Sequence, residues 1–235
     1  MKWSVPLTRI FTSMVRGINE TCIINVDEGR MHTRVLDLSS IAIVDVQVSV
    51  PECDGGCSVG VDVNRLHTTF GSLNTKEADV EVDGGNLLIK GGKYEYVLPL
   101  VLDAKTSKEP KVKHPLQIII DSGEFVDAIA AIKGVCDSKD GASSVLFKWD
   151  GKELRISDGN VVNIIFEEGD MEGDMPEEWL RSKFPLDYMV EFSKQAKNSS
   201  KVCLSLGDHC PMAMDIIGEQ FKARYFLADR IEDDE

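Results

Sequence analysis

The feature that most constrains the fold is a fourfold repeat. Amphipathic helical segments begin near Thr8, Val63, Ser122 and Leu186, about 55 to 64 residues apart. Each is followed by roughly three short apolar runs separated by tight turns, the pattern of antiparallel strands. Four copies of one helix-plus-sheet unit are therefore predicted, paired into two similar halves. With helices on one side of antiparallel sheets, the fold class is α+β.

The first helix shows the helical period most clearly. Its predicted buried face is Leu7, Ile10, Phe11, Met14, Val15 and Ile18. Its predicted exposed face is Thr8, Arg9, Thr12, Ser13 and Arg16. The later repeats include strands predicted over Tyr94–Leu102 and Val161–Phe166. The edges of the predicted sheets must be protected, which favours sheet closure or pairing between subunits.

A polar segment separates the two halves. Residues 103–115 carry four lysines together with Pro110 and Pro115, which suits neither a helix interior nor a central strand. We predict an N-terminal domain over 1–102, a connector over 103–115 and a C-terminal domain over 116–235. The connector is either a passive tether or a contributor to a binding surface.

Net charge and its distribution point in different directions. The formal charge of −14 argues against a uniformly basic nucleic-acid binder. The four helices nevertheless sum to about +3, which leaves about −17 on the rest of the chain. Either the helices share a surface facing a polyanion, or the excess is a chance mixture on solvated faces.

Membrane insertion and secretion are not expected. No apolar run is long enough to span a bilayer, and the N-terminus lacks the apolar region of a signal peptide. We therefore expect an intracellular protein with reduced cysteines.

No catalytic constellation is present, so we expect no enzyme, no cofactor and no metal. Phosphate-binding glycine loops, zinc-protease helices and nucleophile elbows are all missing. Cys53 and Cys57 flank a turn, but no second pair of ligands completes a metal site. A metal-dependent hydrolase using the acidic loop Glu167–Glu178 stays as the alternative from another class.

Four stretches resemble a known family. Tyr225–Asp233 is similar to the closing tail of the proliferating cell nuclear antigen family, the DNA sliding clamps. Asp121–Phe125, Phe184–Tyr188 and Gly60–Val63 resemble the segments that open or enter helices in that family. The resemblance covers essentially the whole chain in order.

This resemblance implies a trimeric ring with sheets outside and four helices lining the hole. Such a ring encircles duplex DNA and tethers DNA polymerase, clamp loader, nuclease and ligase. Subunits of the family join edge strand to edge strand. The matching positions are Tyr94, Tyr96, Leu98, Val161, Ile164 and Phe166.

The resemblance also implies a DNA-facing set of cations on the helices. Two of these match basic positions of the family, and the others lie close by. The set is Arg9, Arg16, Arg65, Lys133, Lys194 and Lys197. Thr68, Gly71 and Asp127 stand where relatives often have lysine or arginine, so weak DNA contact is expected.

Partners of the family insert a short aromatic-aliphatic peptide into a pocket beneath the connector. The matching positions are Leu36, Ile43, Val112, Pro211, Phe226, Leu227, Ala228 and Ile231. Two departures are evident. Asp229 replaces the tail's proline, and the connector offers Val112 amid lysines, which favours partners with acidic residues beside the plug.

Two questions stay open within this family. The chain is a homotrimer subunit or a specialised, checkpoint-type subunit of a heterotrimer. Its location is the cytoplasm if archaeal and the nucleus if eukaryotic. The short chain and polar connector favour the archaeal source.

Overall fold

The computed structural model describes residues 1–50, 56–136 and 143–230. The chain divides into two compact units: Met1–Glu109 with Gly218–Ala223, and Pro110–Ile217 with the chain from Arg224. We call these the first and second units. The chain passes from one to the other between Glu109 and Pro110, inside the segment predicted as a connector.

The first unit contains two antiparallel sheets. Its elements are β1 (Lys2–Ser4), α1 (Val5–Arg16), β2 (Thr21–Asp27), β3 (Arg30–Leu36), β4 (Ala42–Ser49), β5 (Cys57–Asp62), α2 (Val63–Ser72), β6 (Glu77–Asp83), β7 (Asn86–Gly91) and β8 (Tyr94–Pro99). The strand orders are β1-β6-β7-β8 and β4-β3-β2-β5.

The second unit repeats this plan. Its elements are β9 (Leu116–Asp121), α3 (Ser122–Val135), β10 (Ser144–Trp149), β11 (Leu154–Ser157), β12 (Asn163–Phe166), a 3-10 turn (Glu168–Asp170), β13 (Glu172–Asp174), β14 (Leu180–Pro185), α4 (Leu186–Ala196), β15 (Lys201–Leu206), β16 (Met212–Ile217) and β17 (Phe221–Leu227), whose last four residues belong here. The strand orders are β12-β11-β10-β14 and β13-β9-β15-β16-β17.

Each repeat is a strand, a helix and then three strands, and its first strand pairs outside its own repeat. In the first unit, β1 pairs with β6 of the following repeat, and β5 pairs with β2 of the preceding one. In the second unit, β14 pairs with β10 and β9 pairs with β15. The two repeats of a unit are therefore interlocked, so the unit rather than the single repeat is the folding element.

The helices begin where strands end, and side-chain caps mark three of these starts. Ser4 Oγ accepts from the Leu7 amide at 3.4 Å, and Asp62 Oδ1 accepts from Arg65 at 2.9 Å. Asp121 Oδ1 accepts from the Gly123 and Glu124 amides at 2.7 and 3.1 Å. α2, α3 and α4 begin at the predicted residues, whereas α1 begins at Val5 instead of Thr8.

The predicted exposed face of α1 is partly wrong. Thr8 and Thr12 are buried, whereas Leu7 and Ile10 are half-buried. The threonines enter the core because each hydroxyl donates to a carbonyl four residues earlier: Thr8 to Ser4 at 2.8 Å, and Thr12 to Thr8 at 2.9 Å. A satisfied hydroxyl loses little on burial, so a residue scored as polar can line the core.

Candidate nucleic-acid and partner interfaces

The helices of the first unit present a basic surface. Arg9, Arg16 and Arg65 are all exposed. Arg65 Nε lies 3.3 Å from Asp62 Oδ2, whereas Arg9 and Arg16 form no ion pair with any residue in the described ranges. Two guanidinium charges are therefore available to an anion.

His67 lies on the same helix pair as these arginines. Its Nδ1 is 2.8 Å from Thr12 Oγ1, which joins α2 to α1. Burial lowers the pKa of His67, and the charges of Arg16 and Arg9 lower it further. The imidazole therefore stays neutral near pH 7, within the positive field of both arginines.

The helices of the second unit carry a mixed surface. Lys133, Lys194 and Lys197 are exposed, but Lys194 is paired with Glu191 three residues earlier. Exposed acids accompany them, namely Glu124, Asp127 and Asp187. These predicted DNA-facing lysines are thus partly neutralised by their own unit.

Several sheet ends have no further strand partner among the described residues. β8 is one of them in the first unit, and β12 is one of them in the second. Both edges carry exposed apolar side chains: Tyr94 at 53% and Val97 at 58% on β8, and Ile165 at 45% on β12. Edges of this kind are prone to pair with another chain.

The predicted edge residues occupy different environments. Tyr94 and Val161 are exposed, Tyr96, Leu98 and Ile164 are half-buried, and Phe166 is buried at 3% exposure. Phe166 therefore has only its backbone to offer a partner. Sequence reasoning missed Val97 and Ile165, which are exposed because alternate residues of these strands point away from their own core.

Both edge strands are shorter than predicted. β8 ends at Pro99, and β12 begins at Asn163 because Val161 and Val162 donate their amides to Asp158 Oδ1 at 2.8 and 2.9 Å. These bonds hold Val161 in a turn beside the edge.

The first unit supplies Leu36 and Ile43 of the predicted pocket. These two residues face each other across β3 and β4 and are half-buried. The turn between them is organised by Asp37, which accepts from the amides of Ser39, Ile41 and Ala42 at 3.0, 2.8 and 2.8 Å.

A groove of about 600 Å³ runs beside this turn. It is lined by Asn19, Thr21, Leu36, Asp37, Leu38, Ser40, Asp103, Lys105, Thr106, Ser107 and Lys108. The Ser107 amide donates to the Arg34 carbonyl at 3.3 Å, which holds the first half of the connector against β3.

The second unit supplies the remaining predicted pocket residues that the structure describes. Val112, Pro211 and Ala228 are half-buried, and Phe226 is 5% exposed. Leu227 is fully buried, so its side chain belongs to the core. Ile231 lies outside the described residues.

Asp229, which stands where the resembling family has proline, holds the tail against β14. Asp229 Oδ1 accepts from the Lys183 amide at 2.7 Å, and the Arg230 amide donates to the Lys183 carbonyl at 2.7 Å. His209 Nδ1 lies 3.4 Å from Asp229 Oδ2. The carboxylate thus acts as a backbone-like acceptor along the outer edge of β14.

In the described ranges, no group of three or more His, Cys, Asp or Glu side chains is placed to hold a metal ion; Cys53 lies outside these ranges. No helix of the described chain is long and apolar enough to cross a membrane.

Comparison with solved structures defines the class of fold. The proliferating cell nuclear antigen (PCNA) of Archaeoglobus fulgidus, solved with the C-terminal region of FEN-1, superposes with a TM-score of 0.85 and 28% identity. The match covers 99% of this chain and 98% of that one. The fold is that of the DNA clamps.

Comparison with curated sequences narrows this class to a family. The DNA polymerase sliding clamp of Archaeoglobus fulgidus is 30% identical over 96% of this chain and 95% of its own length. The clamp of Methanocorpusculum labreanum is 28% identical over 92% of both chains. No protein-family model matches the chain. The chain belongs to the DNA polymerase sliding clamp family.

Proposed function

We propose that this chain is the subunit of a trimeric ring that encircles duplex DNA and tethers DNA polymerase and other replication and repair enzymes. It acts inside the cell as a docking platform and carries out no chemistry itself. The observation that carries this proposal is the match to named sliding clamps over nearly the full length of both chains. The proposed domains are 1–102 and 116–235, joined by the connector 103–115.

Ring closure uses two of the open sheet edges, β8 and β12. β8 of one subunit pairs with β12 of the next, which satisfies backbone groups that each unit leaves unpaired. Tyr94, Val97, Val161 and Ile165 supply apolar surface at the junction. Because one edge differs from the other, the contact is head to tail, and a threefold rotation between subunits closes it as a ring.

DNA contact uses the six helix cations, with the four helices of each subunit facing the hole. Weak contact is sufficient, because a closed ring stays on DNA by topology and each neutralised phosphate releases counterions. Arg9 and Arg16 contribute most, since neither pairs with an acid in the described residues and α1 and α2 contain no acidic residue.

Partner docking uses the pocket residues of both domains. Leu36 and Ile43 offer half-buried apolar surface beside the groove in the first unit, and Pro211 and Phe226 do so in the second. A short peptide adds main-chain bonds along the connector and tail, a form of strand addition. The A. fulgidus PCNA binds the C-terminal region of FEN-1, which supports the docking of partner segments on this fold.

Two alternative functions differ from this proposal. A heterotrimer subunit would use the same edges but assemble with different chains. No observation in the described residues favours a metal-dependent hydrolase.

Topological retention on DNA tests the proposal. The protein is loaded by a clamp loader onto closed circular DNA and isolated by gel filtration. We expect it to stay on the circle, to leave once the circle is linearised, and to have a trimer mass by native mass spectrometry. Retention after linearisation would contradict encirclement, and a monomer at micromolar concentration would contradict the homotrimer.

Edge variants provide the matched control. Val97→Asp places a charge on the β8 edge and is expected to abolish both trimer mass and retention. Val82→Asp changes an exposed valine of β6, inside the same sheet, and is expected to leave both intact.

A further inference from the structure

Arg224 has a position in the second unit that neither the pocket nor the core explains. Tyr225 packs on Phe192 of α4, with ring centroids 4.6 Å apart, so it faces the helices. Arg224 and Phe226 therefore share the opposite face of β17, because successive strand residues alternate. The Arg224 guanidinium lies over the Phe226 ring, 5.2 Å from its centroid.

The stacked guanidinium is short of hydrogen-bond partners. A guanidinium carries five N–H donors, but Arg224 Nε is buried without an acceptor in the described structure. Asp215 Oδ1 lies 3.7 Å from Nε, within ion-pair range but beyond hydrogen-bond distance. The Arg224 side chain is 34% exposed, so donors beyond Nε remain accessible from outside.

Arg224 lies within electrostatic range of both Asp215 and His114. Lys111 and Lys113, which precede His114 in the chain, are exposed. His114 Nε2 lies 2.7 Å from the Pro211 carbonyl. The pKa of His114 is lowered, mainly by burial and also by Arg224, although the Pro211 carbonyl and Asp215 act to raise it. The neutral imidazole therefore donates its Nε2 hydrogen to the Pro211 carbonyl.

We propose that Arg224 is a carboxylate receptor that selects docking peptides with an acidic side chain next to their apolar plug. The contact with the Phe226 ring restricts the guanidinium, so its exposed donors can bind a carboxylate in a two-pronged geometry. Lysine at this position would keep the charge but lose both the stacking and the fork. This inference rests on the proposed peptide docking and names the chemistry that the docking surface selects.

Peptide discrimination tests the receptor. Two labelled synthetic peptides share one aliphatic and one aromatic plug residue and carry either Asp or Asn on both sides of the plug. Fluorescence anisotropy measures their affinities for the intact protein. The Asp peptide is expected to bind the unaltered protein about tenfold more tightly than the Asn peptide, the usual scale of a charge-assisted hydrogen bond.

Variants of Arg224 test whether this residue causes the preference for the Asp peptide. Arg224→Gln is expected to bring the Asp-to-Asn ratio near one, and Arg224→Lys to leave an intermediate ratio. Lys152→Gln, an exposed charge in the β10–β11 turn of the other second-unit sheet, is expected to leave the ratio unchanged. Thermal melting by circular dichroism confirms that each variant is folded.

The outcomes separate the inference from the docking proposal. If both peptides bind but Arg224→Gln leaves the Asp-to-Asn ratio unchanged, Arg224 is not the carboxylate receptor, and the docking proposal is unaffected. If the Asp-to-Asn ratio falls in the double variant Lys111→Ser with Lys113→Ser but not in Arg224→Gln, Arg224 is likewise not the receptor. If neither peptide binds the unaltered protein, the docking proposal fails and the receptor with it.

Discussion

The two units share one plan of strands and helices but differ in the charge of their helices. α1 and α2 of the first unit contain Arg9, Arg16 and Arg65 and no acidic residue. α3 and α4 of the second unit each contain two acids beside one lysine. Both helix pairs pack on sheets through the same kind of apolar face. The pattern of buried residues thus determines the fold, whereas the charge on the exposed helix faces differs between the two units.

This comparison bears on how the ring would hold DNA. The first unit would contribute most of the attraction to phosphate, and the second would contribute a weak, mixed surface. Weak overall attraction of this kind would suit sliding better than tight binding.

Core substitutions should have the largest effect and would reveal whether the two units are stabilised alike. Phe70 of α2 stacks on Trp3, and Phe192 of α4 packs on Tyr225. Because each substitution leaves a cavity, Phe70→Ala and Phe192→Ala should each cost about 3 to 5 kcal/mol. Hydrogen exchange with mass spectrometry should place the loss of protection mainly in the substituted unit. Equal loss in both units would contradict two separate cores.

Removal of buried carboxylates should have a smaller effect that is unequal between the units. Asp37 accepts from three amides in the first unit, whereas Asp229 accepts from the Lys183 amide in the second. Asp37→Ala should cost about 3 kcal/mol and Asp229→Ala about 1 kcal/mol, because each buried donor left unpaired is destabilising. Urea unfolding measures both.

Asparagine variants are the control for this pair. Asp37→Asn and Asp229→Asn keep one acceptor oxygen and should lie between alanine and the unaltered protein. A larger cost for Asp229→Ala than for Asp37→Ala would reverse the expected order.

Charge reversal on the helices should have the smallest effect and tests the asymmetry directly. Arg9→Glu with Arg16→Glu is expected to weaken duplex binding roughly tenfold at low salt and to reduce the salt slope by about 0.9 for each lost phosphate contact. Lys194→Glu with Lys197→Glu should have a smaller effect, because Glu191 already pairs with Lys194. Salt titration of fluorescence anisotropy measures both, and equal slopes would remove the asymmetry.

Local patterns predicted the helices better than the strands that precede them. The helical period located all four helices found in the described residues within a few residues of their starts. β5 and β14 were missed, although Val59 and Val61, and Ser182 and Phe184, alternate as strands do. Alternation over so few residues, next to a helix start, is easily taken for the helix itself.

The surroundings of the predicted site residues depend on tertiary packing, which a sequence pattern does not record. Leu36 and Ile43 were proposed from the resemblance, and the structure pairs them across β3 and β4. Leu227 and Phe166 are buried, which depends on the face of each strand that meets its own core. Arg224 was missed because a single arginine in a strand gives no sequence signal of its stacking.

The sequence alone determined the fourfold repeat, the order of helices and strands, and the likeness to the sliding clamps. These depend on periodicity and short motifs, which are properties of neighbouring residues. Tertiary structure decided the exchange of first strands between repeats, the unpaired edges, the anchoring of the tail by Asp229 and the stacking of Arg224. Each of these depends on residues far apart in the chain, whose pairing follows from packing and backbone hydrogen bonds that no local pattern records.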